Sequence, residues 1–505
     1  MIFKAWTFTK GRKEGRVVKK RERERITVLG GSNNPQSMGK ACAIADVQTV
    51  NKEHFYRLMV DCGAEFQQEP EEMEPRDNLS NTSIAPDFSR IGDRKVDAVV
   101  LTHFHYDHVG SLGKLKISGA LKPEAPVISS PQTAYGLEYT LRDGEMSDYH
   151  SILDSANILR RRMTVPRPGV CEILPGLPVF FQQNGHLSGS TSLVIPTGSG
   201  GLGLITGDMC REDMPITKGW ELPSESWPAE WIPDQIWGTD LTYGSRSKPP
   251  LSEEVLKLQE QARADLLKGK KVVAASFRTG RGQNLPMWLL PIAKEFGIPI
   301  WLDGSIPKIY RIFQGHRWSE RDGELPELGE NSGVMEVRDS SHRAALLEKE
   351  GPAIFITTSG MGNFGPIVQY MRYGLPREDF SFYYTSWLAS GSNGDRLVNY
   401  YQKALKLREE DPSRIARAKI VDPRDGTIIL PLRADVYHFR LGAHGDLDEF
   451  AEFVKDIVVK CRKGRLLKRI ILTHGNFVSL REAAERLSVF TEEIYHGNAN
   501  TVIYV

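Results

Sequence analysis

Thiol pairs are absent. Five cysteines, Cys42, Cys62, Cys171, Cys210 and Cys461, stand far apart in 505 residues without a CxxC pair. Neither a disulfide framework nor a cysteine zinc knuckle is therefore indicated, and any metal must be held by histidine and carboxylate. No run approaches the roughly 18 apolar residues that a membrane span needs. The opening MIFKAWTFTKGRK turns basic too soon for a secretory leader, so a cytoplasmic protein with no membrane partner is expected. Overall charge is missing too: 65 basic and 64 acidic side chains leave a net +1. A polyanion would have to find a local cluster. Three such clusters exist. Residues 10–25 carry nine positive and three negative charges; the second cluster is Lys268, Lys270, Lys271, Arg278 and Arg281; the third is Lys460, Arg462, Lys463, Arg465, Lys468 and Arg469. Solvated charge on an outer face explains any one of them equally well.

What is present is a globular composition, 40% apolar and 26% charged, in a chain too long for one ordinary core. ITVLGG, ACAIADV and FYRLMVDCG read as successive strands from residue 26, the last delivering Asp61 at its end. KVDAVVLT is a continuous apolar run, as expected of a buried strand. LPVFFQQ, STSLVIP and GLGLITGD suggest further strands. The glycines between 198 and 203 form a hairpin turn, since they lack the lysine and helix of a phosphate loop. From about 245 to 430 helical and strand patterns alternate (SEEVLKLQEQARADLLKG, KVVAASF, NLPMWLLPIAKEFG, IPIWLDG, AIFITTSG, FSFYYTSW), which predicts a second, Rossmann-like layered unit. DLDEFAEFVKDIVVKC then spaces its apolar residues along one helical face, and RIILTHG is another apolar strand that ends in a histidine.

The densest chemistry is LTHFHYDHVG, residues 101–110, with three of the twelve histidines and one aspartate in six positions. On an extended segment His103 and His105 point to the same side, while Asp107 and His108 can turn back over the strand end. Imidazole and carboxylate suit a borderline divalent ion such as zinc. His186 in NGHLSGS, Asp208 in ITGD and His474 in LTHG each follow a predicted strand. Any one of them alone would be read as a core residue; together with the loop they supply enough ligands for two metals.

HxHxDH at 103–108, the acid Asp61 after an early strand, His186, and Asp208 in a TGD turn resemble the motifs of the metallo-β-lactamase fold hydrolases. GTDLTYG, SFRTGRGQN, TTSGMGNFGP, SWLASGSNGDRL, GAHGDLDEF and LTHG are, more narrowly, similar to those of the β-CASP nucleases. That group includes the endonuclease subunit of the cleavage and polyadenylation specificity factor and RNase J. The resemblance implies an α+β, αββα metallo-β-lactamase sandwich carrying an inserted α/β, Rossmann-like β-CASP domain. The expected division is a basic segment 1–25, as extra strand or arm; the first part of the metallo-β-lactamase domain, 26–244; the β-CASP domain, 245–430; and the carboxyl-terminal part, 431–505.

The resemblance further implies that His103, His105 and His186 hold one metal, that Asp107, His108 and His474 hold another, and that Asp208 bridges both. Zn2+ is the expected ion, with Mn2+ as the alternative. The pair would activate a hydroxide against a phosphodiester. Asp61 would orient ligands by hydrogen bonds. Asp107, Asp240 and His444 are placed in catalysis, His444 as proton donor or phosphate contact with Asp240 orienting it. Arg281, Ser359 and Arg396 are expected at the substrate. A histidine at 474 favours RNA within the group, so the reading is a metal-dependent ribonuclease acting on single-stranded RNA, with homodimerisation left open. The alternatives are a DNA nuclease of the same family, a small-molecule metallo-hydrolase, and an inactive RNA-processing scaffold. Two positions depart from the pattern. Asp446 puts the 5′-phosphate pocket of RNase J in doubt, and Asp395 is unusual before Arg396. With 31 residues after His474, the carboxyl-terminal domain of RNase J is not expected.

Overall fold

The computed structural model describes residues 23–31, 40–66, 83–141, 158–246, 248–411, 413–497 and 501–505. Most of the basic segment 10–25, and the Pro- and Glu-rich stretch beyond residue 66, lie outside them. Arg25 is the first residue of a strand, Arg25–Val28.

Two seven-stranded sheets face each other. The first runs, from edge to edge, Thr501–Tyr504, Arg25–Val28, Ala43–Gln48, Phe55–Val60, Ala98–Val100, Val127–Ser129 and Arg162–Thr164. The second runs Thr491–His496, Leu467–Leu472, Gln235–Gly238, Leu202–Ile205, Thr191–Pro196, Leu177–Gln183 and Gly169–Leu174. Side chains alternate across a strand, so each sheet offers two apolar faces. Ala45, Val47, Leu58, Val60, Val100, Val179, Phe181, Leu193, Ile205, Trp237 and Ile471 meet in the layer between the sheets. The opposite faces carry helices. Ile44, Met59, Val99 and Leu101 pack on Leu112, Leu115 and Leu137, and Phe180, Val194, Leu204, Ile236 and Leu472 pack on Phe450, Phe453, Val454 and Leu480. The result is a helix–sheet–sheet–helix sandwich.

The third sheet has six strands, all parallel: Val334–Glu336, Ile300–Leu302, Ala353–Thr357, Lys271–Ala275, Phe380–Tyr384 and Asp435–His438. Its central strands are buried on both faces, as parallel sheets require. Val272 and Ala274 look toward the helices Leu251–Leu267 and Arg281–Glu295; Val273 and Ala275 look toward Pro366–Gly374 and Asn393–Glu410. The last strand carries this unit to residue 438, beyond the expected edge at 430. DVYH is a four-residue edge strand of mixed burial, too short to show a period in the sequence. A separate hairpin, Ala416–Asp422 with Gly426–Leu432, lies against the helix Asn393–Glu410. The third unit docks on the sandwich through an apolar cluster, Phe104, Leu187 and Ile216 against Ile309 and Phe313, and through polar contacts: Gln183 donates to Asp322 at 3.0 Å and the Ile216 amide donates to Asn284 at 3.3 Å.

Candidate metal centre

Every expected ligand sits just past the carboxyl end of a sandwich strand. His103, His105, Asp107 and His108 follow Ala98–Val100, His186 follows Leu177–Gln183, Asp208 follows Leu202–Ile205, Asp240 follows Gln235–Gly238, and His474 follows Leu467–Leu472. The opening loop is not extended throughout. A single helical turn, Tyr106–Val109, carries Asp107 and His108 back toward the strand end. Three backbone bonds brace it: Cys62 donates to the His108 carbonyl at 2.7 Å, Ala41 to that of Asp107 at 2.8 Å and Ala64 to that of Tyr106 at 3.2 Å. Gly63 runs so close beneath that a Cβ there would overlap the Asp107 carbonyl, which only glycine avoids.

Three groups of donor atoms result, and all share one carboxylate. His103, His105, His186 and Asp208 form the first; Asp107, His108, Asp208 and His474 form the second; Asp208, Asp240 and His444 form a smaller third. In the first, His105 Nδ1 lies 3.0 Å from both His103 Nε2 and His186 Nε2, each of which is 3.6 Å from Asp208 Oδ2. In the second, His474 Nε2 lies 3.1 Å from His108 Nε2 and 3.3 Å from Asp107 Oδ2, and His108 Nε2 is 3.2 Å from Asp208 Oδ1. Asp208 thus turns one oxygen to each of these two groups.

Contacts on the far side of each ring fix which nitrogen faces inward. Asp61 Oδ2 takes His108 Nδ1 at 2.8 Å, while its oxygens also accept the Thr102 amide and hydroxyl, both at 2.8 Å. The Ala443 carbonyl takes His186 Nδ1 at 2.7 Å, and the Thr242 hydroxyl meets His474 Nδ1 at 3.1 Å. Asp61 and His474 both hold positive φ, 55° and 48°, conformations that non-glycine residues adopt only when their surroundings enforce them. Thr102, Thr242 and Ala443 were not singled out from the sequence. Thr102 abuts the HxHxDH motif and Thr242 lies in GTDLTYG, but the Ala443 contribution is a carbonyl and leaves no residue-type signal.

The donor set fits divalent metal. His103, His108, His186 and His474 have Nδ1 bonded outward and offer Nε2, His105 offers Nδ1, and those nitrogens point at one another. Where both outer nitrogens carry the proton, the inward nitrogens present only lone pairs to one another, an arrangement that a cation between them satisfies. The Asp208 Oδ1 atom is buried and receives no hydrogen bond. Electrostatics divide the groups. Burial pushes His105 down to about 4 and holds His103 and His186 well below the usual imidazole range, so these three are neutral ligands near pH 7. Burial would also lower His474, but Asp208 and the hydrogen bond to Asp107 outweigh it and raise it to about 9. Asp208 lies well below the usual carboxylate range because His474 and His108 outweigh burial.

Beside this centre, His444 Nδ1 lies 3.0 Å from Asp240 Oδ2. Asp240 is fixed in turn by the Met209 amide at 2.9 Å and the Thr242 amide at 3.1 Å. The rings of His444 and His186 are 4.5 Å apart. The His444 side chain keeps 17% of its exposure, and only its Nδ1 is engaged by the described residues.

The expected substrate residues are not gathered at one point. Arg281 is buried near Tyr243 and Cys210, and Gly280 before it reaches Leu187, the neighbour of His186. Ser359 is buried, its hydroxyl accepting the Phe364 amide at 3.4 Å within its own loop. Arg396, with a buried Nη1 that makes no hydrogen bond, starts the helix Asn393–Glu410. Among the described residues no hydrogen bond or ion pair joins Ser359 or Arg396 to the metal ligands. The two departures from the motif pattern stand at helix starts, Asp395 in a first turn capped by Ser392 and Asp446 as the cap itself. Asp395 accepts the Gly391 amide at 2.9 Å while donating its own to Ser392; Asp446 caps Leu447–Asp456 in a reciprocal box with Glu449.

Among the described residues no helix is long and apolar enough to cross a membrane. The metallo-beta-lactamase superfamily model matches residues 56–230 and the Beta-Casp domain model residues 287–397. Asp240, Arg281, His444 and His474 fall outside both ranges, and it is the three-dimensional arrangement that joins them to the rest. The transcription termination factor FttA of Methanocaldococcus jannaschii is 24% identical over 89% of this chain and 67% of its own length. FttA of Methanococcus maripaludis is 24% identical over 78% of this chain and 61% of its length. Ribonuclease TTHA0252 of Thermus thermophilus is 25% identical over 79% of this chain and 86% of its length. This chain therefore spans about two thirds of the two archaeal factors.

Proposed function

The chain belongs to the metallo-β-lactamase superfamily and carries its β-CASP domain, and we propose that it is a metal-dependent ribonuclease. The observation that carries this reading is the pair of donor groups joined through Asp208, with the Asp240–His444 couple alongside. Two divalent ions bound there, for which Zn2+ suits the imidazole-rich donor set, would supply a water-derived nucleophile at neutral pH and neutralise charge on a phosphoryl group. The similarity to Ribonuclease TTHA0252, and a histidine rather than an aliphatic residue at 474, support RNA as the substrate.

The chain's own residues have separable tasks. Asp61, the Ala443 carbonyl and Thr242 hold His108, His186 and His474 in the tautomers that present Nε2 inward. Asp240 is locked by two amides and keeps the His444 ring oriented through Nδ1. His444 Nε2 is left to hand a proton to the departing ribose oxygen. No side chain needs to act as a covalent nucleophile.

The deciding experiment is a contest between matched RNA and DNA oligonucleotides, labelled at the 5′ or 3′ end, with and without chelator. Chelator-sensitive cleavage of RNA over DNA is expected. Preference for DNA, or activity confined to activated esters, would replace the ribonuclease reading.

A further inference from the structure

Arg281 opens the fifteen-residue helix Arg281–Glu295, where Gly280, at φ 81°, makes the turn into it. The amides of the first helical turn are already used: Arg281 donates to Thr279, Gly282 to Phe277, and Gln283 and Asn284 to Gly280. The helix terminus itself therefore offers an anion nothing. The side chain does. Arg281 keeps only 8% of its exposure, its Nε is buried without a hydrogen-bond partner, and no side-chain hydrogen bond or ion pair engages its guanidinium among the described residues. A guanidinium has five donors in a planar fork and stays charged throughout the physiological range. Burying it unpaired is among the costlier arrangements a fold can keep.

Its neighbours do not supply the missing charge. Desolvation lowers Arg281 from the ordinary arginine value, and the groups that oppose this are Tyr243 and Cys210. Yet the place is close to the metal centre. Cys210 is two residues beyond Asp208, the Tyr243 ring is 6.4 Å from that of His444, and a Cβ at Gly280 would sit 3.9 Å from Leu187, next to His186.

We propose that Arg281, flanked by Tyr243, is a phosphate subsite that holds a backbone phosphate of the RNA next to the scissile one. The subsite rests on the ribonuclease reading, and it specifies what that substrate must carry: a second phosphodiester beside the one cleaved. A planar fork suits a phosphate oxyanion, which it can bind through two parallel hydrogen bonds. The desolvated cation gains its partner only when the strand is in place, and its burial thereby favours polyanionic substrates over single phosphodiesters.

The test uses the full chain loaded with metal and compares Arg281→Met with the parent on two substrates, an RNA oligonucleotide and bis(p-nitrophenyl) phosphate, which has one phosphate only. KM for RNA is expected to rise roughly ten- to a hundredfold, with its salt dependence flattened by about 0.7 in the log–log slope. The loss of kcat/KM on the single phosphodiester should be markedly smaller than the loss on RNA. The thermal midpoint of the RNA-free variant should rise, because an unpaired buried charge has been replaced by an apolar chain of similar length. Inorganic phosphate should raise the parent's midpoint and not the variant's. Equal losses on both substrates, or a fall in the variant's midpoint, would make Arg281 a structural group or a contact of the scissile phosphate and overturn the subsite. Phosphate protection without any change in RNA KM would overturn the backbone assignment in favour of a free-anion site. If the parent cleaves neither substrate, the ribonuclease reading fails, while the phosphate-dependent midpoints still decide whether Arg281 binds an oxyanion.

Discussion

His105 makes the closest approaches in the first donor group, 3.0 Å to each of two neighbouring imidazoles, and it stands on a loop held by its own backbone bonds. His105→Ala should therefore abolish RNA cleavage while leaving far-UV circular dichroism and solubility unchanged; retained cleavage would remove His105 from the centre. Asp61 tests the outer contacts. It touches His108 Nδ1 and not the inward nitrogen, so Asp61→Asn should weaken metal binding by roughly 10- to 100-fold, read as the metal concentration that restores half-maximal activity. His444 tests proton delivery separately from metal binding: His444→Ala is expected to lower kcat by roughly 10²- to 10⁴-fold with metal content intact. Individual side chains were legible in the sequence because HxHxDH compresses four donors into one loop, and because Asp208 and His474 sit in short glycine-containing turns after apolar strands. The Ala443 carbonyl and the Thr102 and Thr242 hydroxyls were not, since a carbonyl has no letter of its own and threonine is common in strands.

Strands and helices carry those residues to one edge of the sandwich. Residues 43–48, 55–60, 191–196 and 271–275 are visible in the sequence as apolar runs, because each is buried on both faces. The edge strand Asp435–His438 was not, since its burial is mixed and four positions give no period. The expected continuous helix 446–461 changes character: regular α-helix ends at Asp456, and Ile457–Cys461 continues with π-type bonds. Apolar spacing cannot register that difference. At the start of this helix, Asp446 stands where the β-CASP motif departs from RNase J, and it does a local job: it accepts the Glu449 amide at 3.0 Å and donates its own to the Glu449 carboxylate at 3.2 Å. Asp446→Ala is expected to cost about 0.5–2 kcal/mol, measured by denaturant midpoint, with KM for RNA little changed. A large rise in KM with unaltered stability would show that Asp446 meets substrate and is more than a cap.

Across the molecule, the centre draws its donors from residues 103 to 474 and from strands of both sandwich sheets, so metal and fold are coupled. Five imidazoles and two carboxylates converge in the two groups, and stripping the ions should lower the thermal midpoint, with restoration on adding back divalent metal. A midpoint indifferent to chelation would mean that the cluster is held together by its own hydrogen bonds. The alternation of helix and strand after residue 245 made the second unit legible from sequence, whereas its docking on the sandwich depends on contacts such as Leu187 with Ile309 and Phe313 in one apolar cluster and Gln183 with Asp322, partners distant in the chain that leave no local pattern.

The most direct measurement is a titration of the chelator-stripped protein with zinc, following RNA cleavage against metal bound per chain. Two donor groups joined by Asp208 predict no cleavage at zero metal and full activity only as the second equivalent binds. Undiminished cleavage by the stripped protein, or saturation at a single equivalent, would contradict a two-metal centre.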